Sequence, residues 1–276
     1  MGNSRKAEII MAGEKKTAIV TGASSGIGLA AAKALCDCGY TVYNLSRSRS
    51  PEKRVISIRC DVCSESDIIS AMEKIKGEAG RADLLICNAG YGISGAVEFT
   101  ENADAERLFE VNFFGVYRCI KYALPLLRES VSGGKIIFTS SVAAVFAIPF
   151  QSFYSASKAA VNMLSSALAN ELAPFGIQTC TVMLGDAKTG FTDAREKSFA
   201  GDEIYHGAIS RGVSAMEKDE RGGTNADIIG KKICRIAEKK KMPAECIVGG
   251  KYKFFVFLSR FLPRKMQNAI VGKMYR

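Results

Sequence analysis

A single histidine, His206, stands in a chain of 276 residues that has no tryptophan and only six prolines. One imidazole cannot furnish the ligands of a histidine-based metal centre. The nine cysteines are odd in number and scattered. Cys60-Asp-Val-Cys63 is a C-x-x-C pair, but no second pair follows at zinc-ribbon spacing. No metal site is therefore expected, and the thiols should be free and mostly buried. The chain also lacks an apolar run near the roughly 20 residues that a membrane-spanning helix needs. The stretch Tyr252–Leu262 is far shorter and stops at Pro263. No secretory leader is legible, which suggests a cytoplasmic setting. Residues 1–16 are polar and charged and are expected to form a loose arm. Met1-Gly2 hints at N-myristoylation, yet Lys6 occupies the position where that signal wants serine or threonine. No internal repeat or low-complexity linker divides the chain.

The formal charge of +10 is uneven. Residues 231–276 hold 13 Lys/Arg against two acids, Glu238 and Glu245, and the remainder is close to neutral. This is a basic C-terminal segment on a near-neutral domain. No nucleic-acid-binding motif accompanies the charge, so nucleic acid is not an expected partner.

What is present is a regular βα rhythm. Strands are predicted at 17–21, 41–45, 55–60, 83–87, 135–140 and 177–183, with a seventh at 246–248. Helices are predicted between them at 26–38, 65–78, 101–129, 152–173 and 225–240. Such alternation implies one α/β domain, a Rossmann-type doubly wound parallel sheet with helices on both faces. Ligands of such sheets lie at the C-terminal strand ends.

The first strand feeds Thr21-Gly22-Ala-Ser24-Ser25-Gly26-Ile27-Gly28, followed by the helix-forming run Leu29–Leu35. Strand, glycine turn and helix in this order suit a pyrophosphate: the backbone can approach closely, and the helix start offers unpaired N–H groups. The second strand runs into Ser46-Arg47-Ser48-Arg49. An NAD site usually places a carboxylate there for the ribose 2′-hydroxyl, whereas an arginine suits a 2′-phosphate. Ser46 offers no carboxylate and Arg47 offers a guanidinium, so NADP(H) is favoured over NAD(H).

Tyr154 and Lys158 stand four residues apart, which places them on one face of a helix. An ammonium held beside a phenol favours the phenolate and eases proton exchange. With these motifs in this order the chain resembles the short-chain dehydrogenase/reductase family, over roughly residues 15 to 250. The resemblance implies a catalytic set of Asn112, Ser141, Tyr154 and Lys158. Ser141 lies 13 positions before the tyrosine, as the family spaces its serine, and Ser140 is the rival. It further implies cofactor contacts from Gly22, Ser24, Ser25, Gly26, Ile27 and Gly28, from Ser46 and Arg47, from Asp61-Val62 near the adenine, and from Asn88-Ala89-Gly90. In that last motif Cys87 replaces the family's first asparagine. Gly185 and Thr189 match the family's contacts to the nicotinamide, but Leu184 stands where the family has proline, so that loop is less constrained.

Residues 190–222 break the rhythm and correspond to the family's substrate lid. Their apolar share (Phe191, Phe199, Met216) suggests a carbonyl or alcohol substrate with an apolar body. The basic segment 251–276 is expected to cover the pocket or pack on a second subunit, with peripheral membrane contact as the alternative. A homodimer or homotetramer is implied by resemblance. The competing readings are a dinucleotide-binding regulator without chemistry, and a reductase of acyl chains on an acidic carrier protein.

Overall fold

The computed structural model describes residues 15–275; most of the N-terminal arm and its myristoylation signal lie outside them. Seven strands are β1 (Thr17–Thr21), β2 (Thr41–Ser46), β3 (Val55–Arg59), β4 (Leu84–Cys87), β5 (Lys135–Ser141), β6 (Gln178–Leu184) and β7 (Glu245–Val248). They form one parallel sheet in the order β7-β6-β5-β4-β1-β2-β3. The strand order reverses between β1 and β4, which opens a crevice at their C-terminal ends.

The main helices are α1 (Gly26–Asp37), α2 (Glu65–Ala79), α3 (Asn102–Phe109), α4 (Gly115–Arg128), α5 (Ser152–Glu171), α6 (Ala208–Arg221), α7 (Ala226–Ala237), α8 (Gly250–Ser259) and α9 (Arg264–Met274). Strand side chains alternate between the two faces. Ala18 and Val20 join the core beneath α1 and α7, with Leu35, Ile229 and Ile233. Ile19 points the other way, into the core with Ile75, Leu127 and Val161 from α2, α4 and α5. Both faces of β1 are thus sealed, which is why its run reads as continuously apolar.

The helix predicted over 101–129 is interrupted. Between α3 and α4 the chain makes a π turn at Glu110–Phe114. The Asn112 side chain holds that turn: its Oδ1 accepts from Tyr91 N at 3.0 Å, and its Nδ2 donates to Tyr91 O at 3.0 Å. A wider turn of this kind is common where a helix carries function. Residues 190–222 fold as a short helix, Phe191–Ala194, followed by α6. Two-residue strands tie this segment to the domain, Glu196–Lys197 to Ile93–Ser94 and Ala187–Lys188 to Thr224–Asn225.

Candidate active site

A cleft of about 1160 Å³ opens at the C-terminal ends of the strands. All the residues expected to form the site line it except Gly28 and Asn112, which stand directly behind it. The glycine turn is fastened on both sides. Gly22 N donates to Leu45 O at 2.9 Å, and Ala23 N to Asn44 Oδ1 at 2.9 Å, which ties the turn to β2. Thr21 Oγ1 accepts from Asn88 N and Ala89 N, both at 2.9 Å, and Asn88 Nδ2 donates to Thr21 O at 3.1 Å, which ties it to β4. Gly22 has φ +72°, and a Cβ on Gly28 would collide with the Gly22 carbonyl and stand 2.5 Å from Asn88 Nδ2. The first turn of α1 has no side-chain cap and no acidic residue. The cradle therefore fits a dinucleotide pyrophosphate: bare backbone, unclaimed N–H groups and no competing carboxylate.

At the end of β2, Ser46 Oγ donates to Ser48 O at 2.6 Å and accepts from Asn44 Nδ2 at 2.9 Å. Its hydroxyl is thus engaged, while Arg47 lies exposed along the cleft. Asp61 is fixed through its backbone N–H to Asp67 Oδ2 at 3.0 Å, and its own Oδ1 accepts from Cys63 N at 3.0 Å. Val62 packs against Gly115, where a Cβ would meet Val62 Cγ2 at 2.8 Å.

Helix α5 carries the tyrosine and lysine. Lys158 is buried, donates to Thr139 O at 3.1 Å, and sits 5.7 Å from the Tyr154 ring centroid. The two serines differ in their partners. Both line the cleft; Ser140 turns its hydroxyl to Lys158 O at 3.5 Å, whereas Ser141 Oγ accepts from Ala143 N at 3.1 Å and lies on the Tyr154 side, where it favours the phenolate. Behind them, Asn112 Nδ2 donates to Ser157 Oγ at 3.2 Å. A Cβ on Gly90 would lie 2.9 Å from Asn112 Oδ1 and 3.6 Å from Lys158 Nζ, so one backbone site touches both groups.

The electrostatics depart from expectation in one respect. The ammonium does not lower the phenol; burial pushes Tyr154 up to about 12, against the opposing hydrogen bond from Ser141. Glu220 adds to the rise and Arg195 opposes it. Burial also draws Lys158 down to about 8. Taking both groups out of water disfavours both charges.

The loop where leucine replaces proline is held by other means. Gly185 N donates to Val248 O at 3.1 Å, and Thr189 Oγ1 accepts from Phe191 N at 3.1 Å. The Tyr252 ring of α8 lies so close over Gly185 that any Cβ there would overlap it. Tyr252 Oη donates to Asp186 Oδ2, and Lys251 Nζ pairs with the same carboxylate at 3.1 Å. Tyr252 and Tyr275 both line the cleft, so the C-terminal segment contributes to its wall.

Sequence reading missed several supports. Thr21 was legible only as the start of the glycine motif and Asn44 only as a polar strand residue, yet their side chains staple the glycine turn. Arg195 is almost fully buried and paired with Glu220, which also accepts from Thr192 Oγ1 at 2.7 Å. Their separation of 25 residues in an irregular region gave no local signal.

Comparison with known proteins agrees with this geometry. The family model described as short chain dehydrogenase matches residues 16–199. A 3-ketodihydrosphingosine reductase of Bacteroides thetaiotaomicron is 41% identical over 236 residues, covering 84% of this chain and 87% of the relative. An NADPH-dependent 1-acyldihydroxyacetone phosphate reductase of Saccharomyces cerevisiae is 32% identical over 193 residues, covering 66% and 64%. The crystal structure of a short-chain dehydrogenase from Streptomyces avermitilis superposes with a TM-score of 0.80 at 30% identity, covering 90% of this chain and 93% of that one. By these likenesses the chain belongs to the short-chain dehydrogenase/reductase family of nicotinamide-dinucleotide-dependent oxidoreductases.

Proposed function

We propose that the chain is an NADP(H)-dependent reductase of a ketone carried on a long apolar substrate. The observation that carries this reading is the meeting of Ser141, Tyr154 and Lys158 in one cleft with the glycine turn. When bound, the cofactor supplies the hydride. Tyr154, held protonated at neutral pH, donates its proton to the carbonyl oxygen as negative charge grows there. Ser141 directs its hydroxyl to the same oxygen and stabilises that charge. Lys158, titrating near 8, can both orient the nicotinamide ribose and return a proton to the tyrosine. Asn112 holds the π turn beside Lys158 and so positions the water through which protons are resupplied.

Arg47 supports the preference for a 2′-phosphate, because β2 (TVYNLS) ends without a carboxylate and the Ser46 hydroxyl is already engaged. Ile148, Phe191, Met216, Tyr252 and Tyr275 line the cleft and support an apolar substrate body. The two relatives described above bear the names of reductases for 3-ketodihydrosphingosine and 1-acyldihydroxyacetone phosphate, each a ketone with an aliphatic chain. We further propose self-association through α4 and α5, where Phe114, just before α4, Tyr117 and Met163 are exposed.

The test is oxidation of NADPH with ketones of increasing chain length, including a 3-keto sphingoid base and an acylated dihydroxyacetone phosphate. Turnover should improve with chain length through a falling KM. Equal rates for short and long ketones would refute the apolar pocket, and silence across the series would refute the activity.

A further inference from the structure

After Lys251 and Lys253 in its first turn, helix α8 runs through Phe254–Leu258 without a polar side chain. Val256 is buried and Tyr252 turns inward, yet Phe254, Phe255, Phe257 and Leu258 are exposed. Phe261 follows them at 70% exposure, and α9 adds exposed Met266, Ile270 and Met274. A helix at a water-facing surface keeps a polar outer side; one that is hydrophobic all round is covered by something. The rings are also continuous, with Phe254 and Phe255 centroids 6.1 Å apart and Phe257 and Phe261 centroids 5.3 Å apart. An exposed apolar patch of this kind marks a contact surface.

The charge around the patch selects the partner. Residues 249–276 contain seven Lys/Arg and no acid. Among the described residues, Lys251 pairs with Asp186, Arg260 pairs with Glu245, and Arg264 Nη1 donates to Val145 O at 3.2 Å. A second copy docking here under two-fold symmetry would oppose each cationic patch to itself, with no carboxylate in the segment to relieve the repulsion. An anionic bilayer supplies the missing negative charge and a medium for the phenylalanines. Among the described residues no helix is long and apolar enough to cross a membrane, so the contact would be interfacial.

We propose that α8 and α9 form an anchor that lies on an anionic lipid surface. Because Tyr252 and Tyr275 of this same segment line the cleft, docking brings the cleft wall to the bilayer. An apolar substrate can then enter from the lipid without crossing water.

The experiment is co-sedimentation of the full chain with vesicles of phosphatidylcholine, alone or mixed with phosphatidylglycerol. Binding should be strong on the mixed vesicles, weak on phosphatidylcholine alone, and reduced by salt. The triple variant Phe254→Ser, Phe257→Ser, Phe261→Ser should lose binding to both. Lys253→Glu, Lys265→Glu, Lys273→Glu should weaken binding to the mixed vesicles by about a hundredfold. NADPH titration and circular dichroism of the variants verify that fold and cofactor site persist. Wild-type protein that stays in the supernatant with anionic vesicles overturns the anchor. So does a phenylalanine variant that turns a dimer into a monomer in sedimentation velocity while lipid binding is unchanged. Vesicle binding needs no substrate, so this result stands or falls separately from the catalytic reading.

Discussion

The two sides of the cleft are built differently. The cofactor side, from the glycine turn to Asn88, is mostly backbone, and short-range hydrogen bonds to β2 and β4 fix its shape. The opposite side, residues 185–275, is mostly side chains: Phe191, Met216, Glu220, Tyr252 and Tyr275 arrive from four separate segments. Backbone cradles tolerate little variation because a Cβ fills them, whereas a side-chain wall can be rebuilt residue by residue. On the proposed reading, the reagent site is built of backbone and the choice of substrate falls to the half built of side chains.

The first way to break that comparison is to remove the chemistry at the seam. Tyr154→Phe should lower turnover by about a thousandfold, the range of a lost general acid. NADPH affinity should hold within about twofold, because the glycine cradle is untouched. Steady-state kinetics with fluorescence titration of NADPH measures both. If the variant still turns over ketone, Tyr154 is not the acid.

Lys158 offers the next largest effect. Its pKa falls from an ordinary 10.5 to about 8 through burial. The folded state therefore binds this proton more weakly than the unfolded state does. Stability should rise as pH climbs from about 8 to 10.5, and the cost of burying the charge is fully present below 8. That cost is roughly 3 kcal/mol. Lys158→Met should therefore stabilise the cofactor-free protein at pH 7 while abolishing turnover. The stabilisation should vanish towards pH 10.5. Denaturant unfolding across this range is the measurement, and a pH-independent difference would contradict the assignment.

Arg47 sharpens the cofactor side alone. Arg47→Ala should raise the Kd for NADPH about tenfold, the loss expected of one exposed guanidinium contact to phosphate, and leave the Kd for NADH unchanged. Equal weakening of both cofactors would mean that Arg47 does not read the 2′-phosphate.

The same division explains what the sequence made legible. All seven strands of the sheet were predicted close to their observed limits: the five inner ones are almost wholly buried and leave short apolar runs between turn residues, and the half-buried edge strands β3 and β7 still carry Ile56, Ile58, Ile247 and Val248. Gly22, Tyr154 and Lys158 could be read because each belongs to a motif contained in a few consecutive residues. The π turn at Glu110–Phe114 was not legible, since it is set by Asn112 bonding to the backbone of Tyr91, 21 residues away. The Arg195–Glu220 pair and the seat of Tyr252 on Gly185 arise from still looser, non-local packing. The rise of the Tyr154 pKa was hidden for a related reason: sequence shows the neighbouring lysine but not the depth of burial.

The smallest effect tests the side-chain wall itself. Tyr252→Phe keeps the ring over Gly185 and removes only the hydrogen bond to Asp186, whose carboxylate remains paired with Lys251. A single such bond contributes about 1 kcal/mol. If the wall serves the substrate, the loss should fall on KM for a long-chain ketone, by about fivefold at most. The kcat and the Kd for NADPH should then stay unchanged. A fall in kcat at constant KM would instead place Asp186 and Tyr252 in the alignment of the nicotinamide loop. The boundary between the rigid and the adaptable half would then lie beyond Gly185, inside the C-terminal segment.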